Sequence, residues 1–139
     1  MRYYLDTNML FFILHNEKDN IHRDIRIILE SYSNVLLVSS VVVEELLFLF
    51  RIGKFTPKST YKTERTITNA IKDLGIETVY FNEKHFSEYE KLEIPENHKD
   101  MNDHLIISQA ISDKIPLISS DSKFPFYEKQ KLKFIFNKR

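Results

Sequence analysis

Short apolar runs recur along the chain and predict the strands of a buried sheet. Each run is only a few residues long and is rich in aliphatic, β-branched or aromatic side chains. Runs of this kind are typical of strands that are covered on both faces. The predicted strands have the sequences RYYL, NVLLV, IETVYF, IPLIS and LKFIF.

Segments with apolar residues at helical spacing separate these runs. Ser39 or Ser40 can cap one such helix and Gly53 can close it, and Ser59 and Gly75 bracket another in the same way. The apolar stretch MLFFIL, which follows the first strand, is interpreted as a turn. The predicted helices cover residues 21–32, 39–53, 59–75, 83–92 and 102–114.

The alternation of short buried strands with helices predicts an α/β fold. A central, mostly parallel sheet with helices on both faces and right-handed crossovers is expected. The 139 residues amount to about one domain, and no repeat, low-complexity tract or linker divides them, so residues 1–139 are expected to form a single domain. Ligands of such sheets bind beyond the carboxyl ends of the strands.

The composition excludes several classes of function. The chain has no cysteine, which removes thiol nucleophiles and thiolate zinc sites. Its only glycines are Gly53 and Gly75, too few for a dinucleotide-binding loop, a P-loop or a serine-hydrolase elbow. Twenty basic residues balance twenty acidic ones, so no net charge attracts nucleic acid or a membrane. Because MLFFIL is too short to span a bilayer, a soluble cytoplasmic protein is expected.

Carboxylates stand where two of the predicted strands end. Asp6 follows RYYL and Asp121 follows PLISS, while Asp103 lies in the first turn of the helix NDHLIISQA. Each has an ordinary structural explanation when taken alone, because an acid in a first helical turn complements the helix dipole and Asp after a strand is common turn chemistry. Their expected convergence at one edge of the sheet is what suggests a site.

A fourth acid, Glu45, lies at the border of an apolar helix face. In VVVEELLFLFRI, Glu44 and Arg51 are seven positions apart and share one stripe, which is assigned to solvent. Glu45 is rotated by about 100° from Glu44, toward the apolar side. A carboxylate there is costly unless a partner compensates it, so Glu45 is interpreted as the more informative acid of the two. The alternative is that Glu45 reaches solvent or meets a lysine.

Four converging acids would repel one another. Two carboxylates about 6 Å apart cost roughly 3 kcal/mol at an effective dielectric constant of about 20. No basic residue in these segments offsets that cost, whereas a divalent cation would, and oxygen-only ligands suit Mg²⁺ or Mn²⁺. Such an ion activates water and neutralises a scissile phosphate, with no histidine or thiol needed.

Four motifs in this order resemble those of the PIN-domain ribonucleases, especially the VapC toxins of bacterial toxin–antitoxin pairs. The motifs are LDTN, SSVVVEEL, HKDMNDHLIISQA and LISSDSKF, and the resemblance extends from Tyr3 to Phe136. It implies a three-layer α/β/α PIN-like domain that hydrolyses RNA phosphodiester bonds with Mg²⁺ or Mn²⁺ and leaves a 5′-phosphate. It also implies a homodimer and a small VapB-like antitoxin that blocks the site.

The resemblance assigns roles to particular residues. The implied catalytic acids are Asp6, Glu45, Asp103 and Asp121. The implied metal ligands among them are Asp6, Asp103 and Asp121. Asn8 and Ser119 occupy positions where the family has polar groups around the metal and its waters. Asp100 holds the first position of the family's D-x-x-D segment, where helix capping is an equal alternative.

The chain departs from the family pattern in two places that concern substrate contacts. DMND replaces the more usual DPFD, and His104 stands where an arginine is common. His104 is interpreted as an exposed helix residue rather than a phosphate contact. The departures leave the implied metal ligands intact.

Basic residues gather on one face of the third predicted helix. On a helix of 3.6 residues per turn they fall within about 80° of one another, with apolar residues broadly opposite. They could position RNA phosphates, although an amphipathic helix with a solvated face is the simpler explanation. The run LLFLF of the preceding helix could likewise belong to the core or to a dimer or antitoxin groove. The basic residues are Lys58, Lys62, Arg65 and Lys72.

Other classes of function stay open at this point. An aspartyl-phosphate phosphatase also places Asp after its first strand, but it usually needs a second Asp two residues later, and Asn8 stands there. A phospho-receiver domain would need paired acids, yet Asp6 is followed by Thr7. The non-enzymatic alternative is a catalytically silent PIN-like module that binds RNA or protein. Such a module has no reason to tolerate the repulsion of four acids, so a bound divalent cation would discriminate between them.

Overall fold

The structure is a computed structural model that describes residues 1–55 and 67–138. Within these ranges the five strands are β1 (Arg2–Leu5), β2 (Val35–Ser39), β3 (Glu77–Val79), β4 (Leu117–Ser119) and β5 (Phe134–Phe136). The α-helices are α1 (Thr7–Leu14), α2 (Arg23–Glu30), α3 (Ser40–Arg51), α4 (Ile67–Asp73), α5 (Glu83–Lys91) and α6 (Met101–Asp113). Two 3-10 segments, Lys18–Asn20 and Phe124–Gln130, complete the described elements.

The strands pair in parallel in the order β3-β2-β1-β4-β5. Helices cover this sheet in a three-layer α/β/α arrangement, which confirms the predicted fold class. The chain adds β2 and β3 on one side of β1 and then returns to add β4 and β5 on the other side. The strand order therefore reverses between β1 and β4, and in open parallel sheets such a reversal opens a ligand crevice at the carboxyl ends of the strands.

The apolar character of the central strands follows from their place in the sheet. Leu5 of β1 pairs with Val38 of β2 on one side and with Ile118 of β4 on the other, and all three side chains are fully buried. A strand enclosed on both edges and both faces has no polar side, which explains the apolar run from Tyr3 to Leu5; Arg2, at the start of β1, is exposed. The outer strands β3 and β5 are less buried, as their positions at the sheet edges require.

The stretch MLFFIL is helical, so its interpretation as a turn is wrong. Helix α1 begins directly after β1 because the Asp6 carboxylate accepts a hydrogen bond of 2.9 Å from the backbone N–H of Met9 and caps the helix. Met9, Leu10 and Leu14 are fully buried along its inner side. None of the helices in the described ranges is long and apolar enough to cross a membrane.

The other helices occupy the predicted places with adjusted ends, as far as the structure describes them. Residues 59–66 of the predicted helix 59–75, with the proposed cap Ser59, lie outside the described residues. Helix α2 is shorter than expected because His22 caps it, its ring Nδ1 accepting from the N–H of Asp24 at 3.1 Å. Ser39 is the cap of α3, and Gly53 follows that helix with a positive φ of 78°. Gly75 has φ 75° just after α4, which is the backbone conformation that favours glycine at a helix end. The 3-10 segment Phe124–Gln130 was not predicted.

Candidate active site

Asp6 lies at the strand reversal, at the carboxyl end of β1. Its side chain is buried, with 4% of its surface exposed, and Ser119 of β4 donates a hydrogen bond to its second oxygen. Burial raises the pKa of Asp6 to about 7, against the lowering effect of the hydrogen bonds from Ser119 and Met9. The charges of Asp103 and Asp121 raise it further, so these three acids share one electrostatic environment.

Asp103 and Asp121 meet beside Asp6. Together with His98 they form a group whose ligand atoms all lie within 4.8 Å of one another. Burial raises the pKa of Asp103 to about 6; the hydrogen bond from His98 lowers it, and the charges of Asp100 and Asp121 raise it. The structure therefore groups Asp103 and Asp121 with His98. Asp6 lies outside this group of ligand atoms, but the charges of both acids raise its pKa, and Ser119 bridges Asp6 and the backbone of Asp121.

Ser119 links two of these acids. Its hydroxyl donates to Asp6 and accepts a hydrogen bond of 2.9 Å from the backbone N–H of Asp121. The Asp121 carboxylate in turn accepts from the N–H of Lys123 at 2.8 Å, which fixes the turn after β4. Ser119 is fully buried and stands where the sequence placed a supporting polar group.

Glu45 reaches the same edge of the sheet from α3. Its carboxylate is half-buried and accepts a hydrogen bond of 3.2 Å from the side-chain amide of Asn102, the residue before Asp103. Glu44 is exposed, as its assignment to the solvent stripe predicts. Like Asp6, Glu45 lies outside the group formed by Asp103, Asp121 and His98, and its link to that group is the hydrogen bond from Asn102.

An open groove with a volume of about 620 Å³ runs along Glu45. Asn8 is exposed and lines this groove, which places it near Glu45 rather than in contact with Asp6. Its lining combines polar side chains with apolar side chains of α1 and α3. Its lining residues are Thr7, Asn8, Phe11, Phe12, Glu45, Phe48, Leu49 and Asn102.

His98 is a member of the site that the sequence reasoning missed. Its ring is buried, its Nε2 lies 2.9 Å from Asp103 Oδ2, and its Nδ1 lies 2.9 Å from the hydroxyl of Tyr127. The expectation of a purely carboxylate cluster without a nearby basic group is therefore wrong. His98 lies in the loop before α6, where no periodicity marks it; the only signal was its place five residues before Asp103.

His104 is buried, so its interpretation as an exposed helix residue is wrong. Only 4% of its surface is exposed, and its Nε2 donates to the backbone carbonyl of His98 at 2.8 Å. Burial lowers the pKa of His104. The loop before α6 folds back over the first turn of that helix, and His104 holds this loop and with it the ring of His98.

Asp100 is the N-cap of α6. Its carboxylate accepts from the backbone N–H groups of Asn102 at 3.0 Å and Asp103 at 3.3 Å. The capping alternative therefore describes its contacts. By starting the helix at this point, Asp100 sets the position from which Asp103 faces the other acids.

The predicted basic face falls largely outside the described residues. Lys58, Lys62 and Arg65 lie in the range 56–66, which the structure does not describe. Lys72 is exposed on α4 and lines an open groove together with Glu44 and Tyr80. A role of these basic residues in RNA binding stays a prediction.

The donor set suits a divalent cation. Asp103, Asp121 and Asp6 offer carboxylate oxygens, and burial raises the pKa values of Asp6 and Asp103, so ionising both in the absence of a counter-charge is costly. Hard cations such as Mg²⁺ and Mn²⁺ take ligands of this type. The residues present therefore fit a divalent metal site.

Comparisons with known proteins identify the family and the fold of the chain. The family model of the PIN domain matches residues 3–130. The chain belongs to the PIN domain family. No curated protein matches the sequence significantly.

Several solved structures that are similar in fold to this PIN domain come from toxin–antitoxin complexes. A chain of VapBC2 from Rickettsia felis, a complex bound to a DNA fragment from its promoter, has a TM-score of 0.68 at 22% identity, with 99% of this chain and 100% of that chain covered. A chain of VapBC-1 from nontypeable Haemophilus influenzae has a TM-score of 0.61 at 20% identity over 98% of both chains. A chain of VapBC-5 from Mycobacterium tuberculosis has a TM-score of 0.59 at 17% identity, with 99% of this chain and 98% of that chain covered. At these identities the similarity is one of fold.

Proposed function

We propose that this PIN domain is the toxin of a toxin–antitoxin pair and acts as a divalent-metal-dependent endoribonuclease. The observation that carries the proposal is the group of ligand atoms formed by His98, Asp103 and Asp121, with the buried Asp6 linked to Asp121 through Ser119 where the strand order reverses. A protein without use for this site would gain stability by replacing buried acids whose ionisation is costly. The VapBC folds that resemble this chain support the choice of biological system.

Asp6, Asp103 and Asp121 would hold Mg²⁺ or Mn²⁺. When bound, such an ion neutralises the scissile phosphate and makes water a nucleophile near neutral pH. Ser119 would hold Asp6 and Asp121 in fixed positions relative to each other, because its hydroxyl donates to the Asp6 carboxylate and accepts from the backbone N–H of Asp121. Asp103 would be oriented by the start of α6 and by His98.

Glu45 would orient the attacking water from the side of the groove. Its attachment to Asn102 places it next to Asp103, and its half-buried carboxylate faces space that a nucleic-acid strand can enter. The water oxygen attacks phosphorus and the bond to the 3′-oxygen breaks, which leaves a 3′-hydroxyl and a 5′-phosphate. Asn8, on the same groove, is placed to contact the RNA backbone.

An antitoxin and a second copy of the chain are the proposed protein partners. The run LLFLF is divided in the structure: Leu46 belongs to the core, whereas Phe48 and Phe50 are 60% and 51% exposed. Large exposed aromatic side chains next to a groove are typical of protein interaction surfaces. The apolar side chains that line the groove beside Glu45 are thus suited to contact a VapB-like antitoxin that covers the site.

Cleavage of an end-labelled structured RNA by the purified protein tests the proposal. We expect cleavage in Mn²⁺ or Mg²⁺, none in EDTA, and a loss of roughly 100-fold or more in Asp121→Asn, because even the outer partners of metal ligands contribute about 10- to 100-fold. Asp24→Asn is the matched control, since Asp24 is an exposed acid on α2. Cleavage that persists in EDTA or in Asp121→Asn would contradict the proposal. Divalent binding without cleavage would favour the silent module.

A further inference from the structure

Besides its carboxylate oxygens, the site contains a ring nitrogen, Nε2 of His98, for which a metal site built from carboxylates alone has no role. We propose that His98 is itself a metal ligand and that the site therefore prefers Mn²⁺ to Mg²⁺. This inference rests on the proposed function, whose metal site it specifies further.

Two histidine–aspartate pairs in this chain have nearly the same local geometry. His85 Nε2 lies 2.9 Å from Asp113 Oδ1, and His98 Nε2 lies 2.9 Å from Asp103 Oδ2. Both histidine side chains are 1% exposed. The pairs differ in what holds the second ring nitrogen, and this difference decides what each ring can do.

The ring of His85 is fixed in one tautomer. Its Nδ1 accepts a hydrogen bond of 3.0 Å from the backbone N–H of Asn82, so the proton of the neutral ring must be on Nε2. Nε2 then donates to Asp113, whose other oxygen accepts from the hydroxyl of Tyr4 at 2.6 Å. Every polar atom of this pair has a fixed role in holding α5 against α6 and β1.

The ring of His98 is not fixed in this way. Its Nδ1 faces the hydroxyl of Tyr127 at 2.9 Å, and a hydroxyl can either donate or accept. In the metal-free protein Nε2–H donates to Asp103 and Nδ1 accepts from Tyr127; with the proton on Nδ1 instead, the ring would donate to Tyr127 and the Nε2 lone pair would be available to an ion. Metal-binding histidines have this arrangement, with the other ring N–H donated to an oxygen acceptor.

Distances within the cluster fit a ligand role for His98. The ligand atoms of His98, Asp103 and Asp121 lie within 4.8 Å of one another. Two adjacent ligands of an octahedral ion with bonds of about 2.1 Å are about 3.0 Å apart, and Nε2 lies 2.9 Å from Asp103 Oδ2. In the described part of the chain, His85 belongs to no such cluster.

The ring of His98 is also held in place before any ion binds. Its backbone N–H donates to the carbonyl of Pro95 at 3.1 Å, and its own carbonyl accepts from His104. The ring packs against the aromatic rings of Phe124 and Tyr127. A nitrogen ligand placed in this way favours Mn²⁺, which accepts mixed nitrogen and oxygen ligands, over Mg²⁺, which prefers oxygen ligands and keeps its waters.

Metal titrations of the full chain test the inference. Isothermal titration calorimetry with MnCl₂ and with MgCl₂ compares the wild type, His98→Gln and the matched control His85→Gln. Glutamine can still donate a hydrogen bond to Asp103, so His98→Gln removes the ring nitrogen and keeps the positioning contact. We expect the Mn²⁺ affinity to fall by roughly tenfold or more in His98→Gln, the Mg²⁺ affinity to change less, and His85→Gln to bind both ions like the wild type.

Electron spin echo spectroscopy of the Mn²⁺-loaded wild type detects a coordinated imidazole nitrogen directly. This wild-type measurement does not depend on whether any variant folds. We expect coupling to an imidazole ¹⁴N nucleus in the wild type and in His85→Gln, and none in His98→Gln. Mn²⁺ bound by the wild type without ¹⁴N coupling, or coupling that survives in His98→Gln, would overturn the ligand role and leave the proposed function standing. If the wild type binds neither Mn²⁺ nor Mg²⁺, the proposed function is overturned as well.

Discussion

The side-chain amide of Asn102 donates a hydrogen bond of 3.2 Å to the carboxylate of Glu45, across 57 residues of sequence. This contact joins α3 to the first turn of α6, the same turn that carries Asp103. Glu45 is thereby kept at the edge of the sheet where the strands end, although it contacts none of the implied metal ligands directly. Its place beside the acids suggests an effect on catalysis that is separate from metal binding.

Glu45→Gln is expected to reduce RNA cleavage by roughly 10- to 100-fold, a range typical for a positioned acid–base group or an outer partner of a metal site. Metal affinity should change little, since Glu45 lies outside the cluster of ligand atoms. Cleavage kinetics and calorimetry on the same preparations separate the two effects. Glu44→Gln is the matched control because Glu44 is the adjacent, exposed acid. Equal activity of the two variants would show that Glu45 has no catalytic role.

The stability of the metal-free protein should depend on pH through Asp6 and Asp103. Their pKa values are raised to about 7 and about 6, from 3.8, so the folded chain holds protons that the unfolded chain has released. Their contribution is greatest below about pH 4 and is lost as the pH rises through the folded pKa values. At about 1.4 kcal/mol for each pKa unit, the free energy of unfolding in EDTA should fall by a few kcal/mol between pH 4.5 and pH 8.

Urea denaturation at a series of pH values measures this effect, and Asp6→Asn identifies its origin. The variant can keep the cap on Met9 through its amide oxygen, but it has no proton to lose, so its profile should be flatter than that of the wild type. Parallel profiles for the two proteins would rule out Asp6 as the source.

Asp100→Ala should weaken the start of α6. Loss of an N-cap carboxylate typically costs about 1 kcal/mol of stability, and urea denaturation in EDTA measures it. Because Asp100 bonds only to backbone N–H groups in the described structure, Mn²⁺ should still raise the melting temperature of the variant by a similar amount. A variant of normal stability that no longer responds to Mn²⁺ would instead place Asp100 among the metal ligands.

Tyr4→Phe tests the second buried network of the molecule. The hydroxyl of Tyr4 donates to Asp113 at 2.6 Å and accepts from Gln109 at 3.2 Å, so its removal leaves buried polar atoms with fewer partners. The free energy of unfolding should fall by about 1–3 kcal/mol, with Mn²⁺ affinity unchanged. Tyr3→Phe is the control, because within residues 1–55 and 67–138 the hydrogen bond seen for the Tyr3 hydroxyl is a long contact of 3.7 Å to the sulfur of Met1. Equal stability of the two variants would contradict a structural role for the network.

The site residues that come directly after a strand could be predicted from the sequence. Asp6 and Asp121 directly follow apolar runs, and parallel strands present their carboxyl ends at one edge. Helix periodicity correctly separated the exposed Glu44 from the half-buried Glu45, although it did not predict that Phe48 and Phe50 of the same helix are exposed. These are local patterns with a fixed geometric meaning, and the structure reproduces their geometry.

The remaining parts depend on tertiary packing, which local patterns do not encode. His98 lies in a loop, and only the folding of that loop over α6 brings its ring to Asp103. The same fold-back buries His104, which by periodicity alone is an ordinary polar residue in a first helical turn. The interpretation of MLFFIL as a turn leaves out the capping role of Asp6; the Asp6 carboxylate caps the helix that contains this stretch.

Thermal unfolding of the wild type and of Asp103→Asn, each in EDTA and in millimolar Mn²⁺, tests the central claim most directly. Ligand at ten times its dissociation constant stabilises a fold by about 1.4 kcal/mol, a shift of several degrees for a domain of this size. The account predicts this shift for the wild type, its loss in Asp103→Asn, and a melting temperature of the variant in EDTA that equals or exceeds that of the wild type. Absence of a Mn²⁺ shift in the wild type, or equal shifts in both proteins, would contradict a metal site built on Asp103.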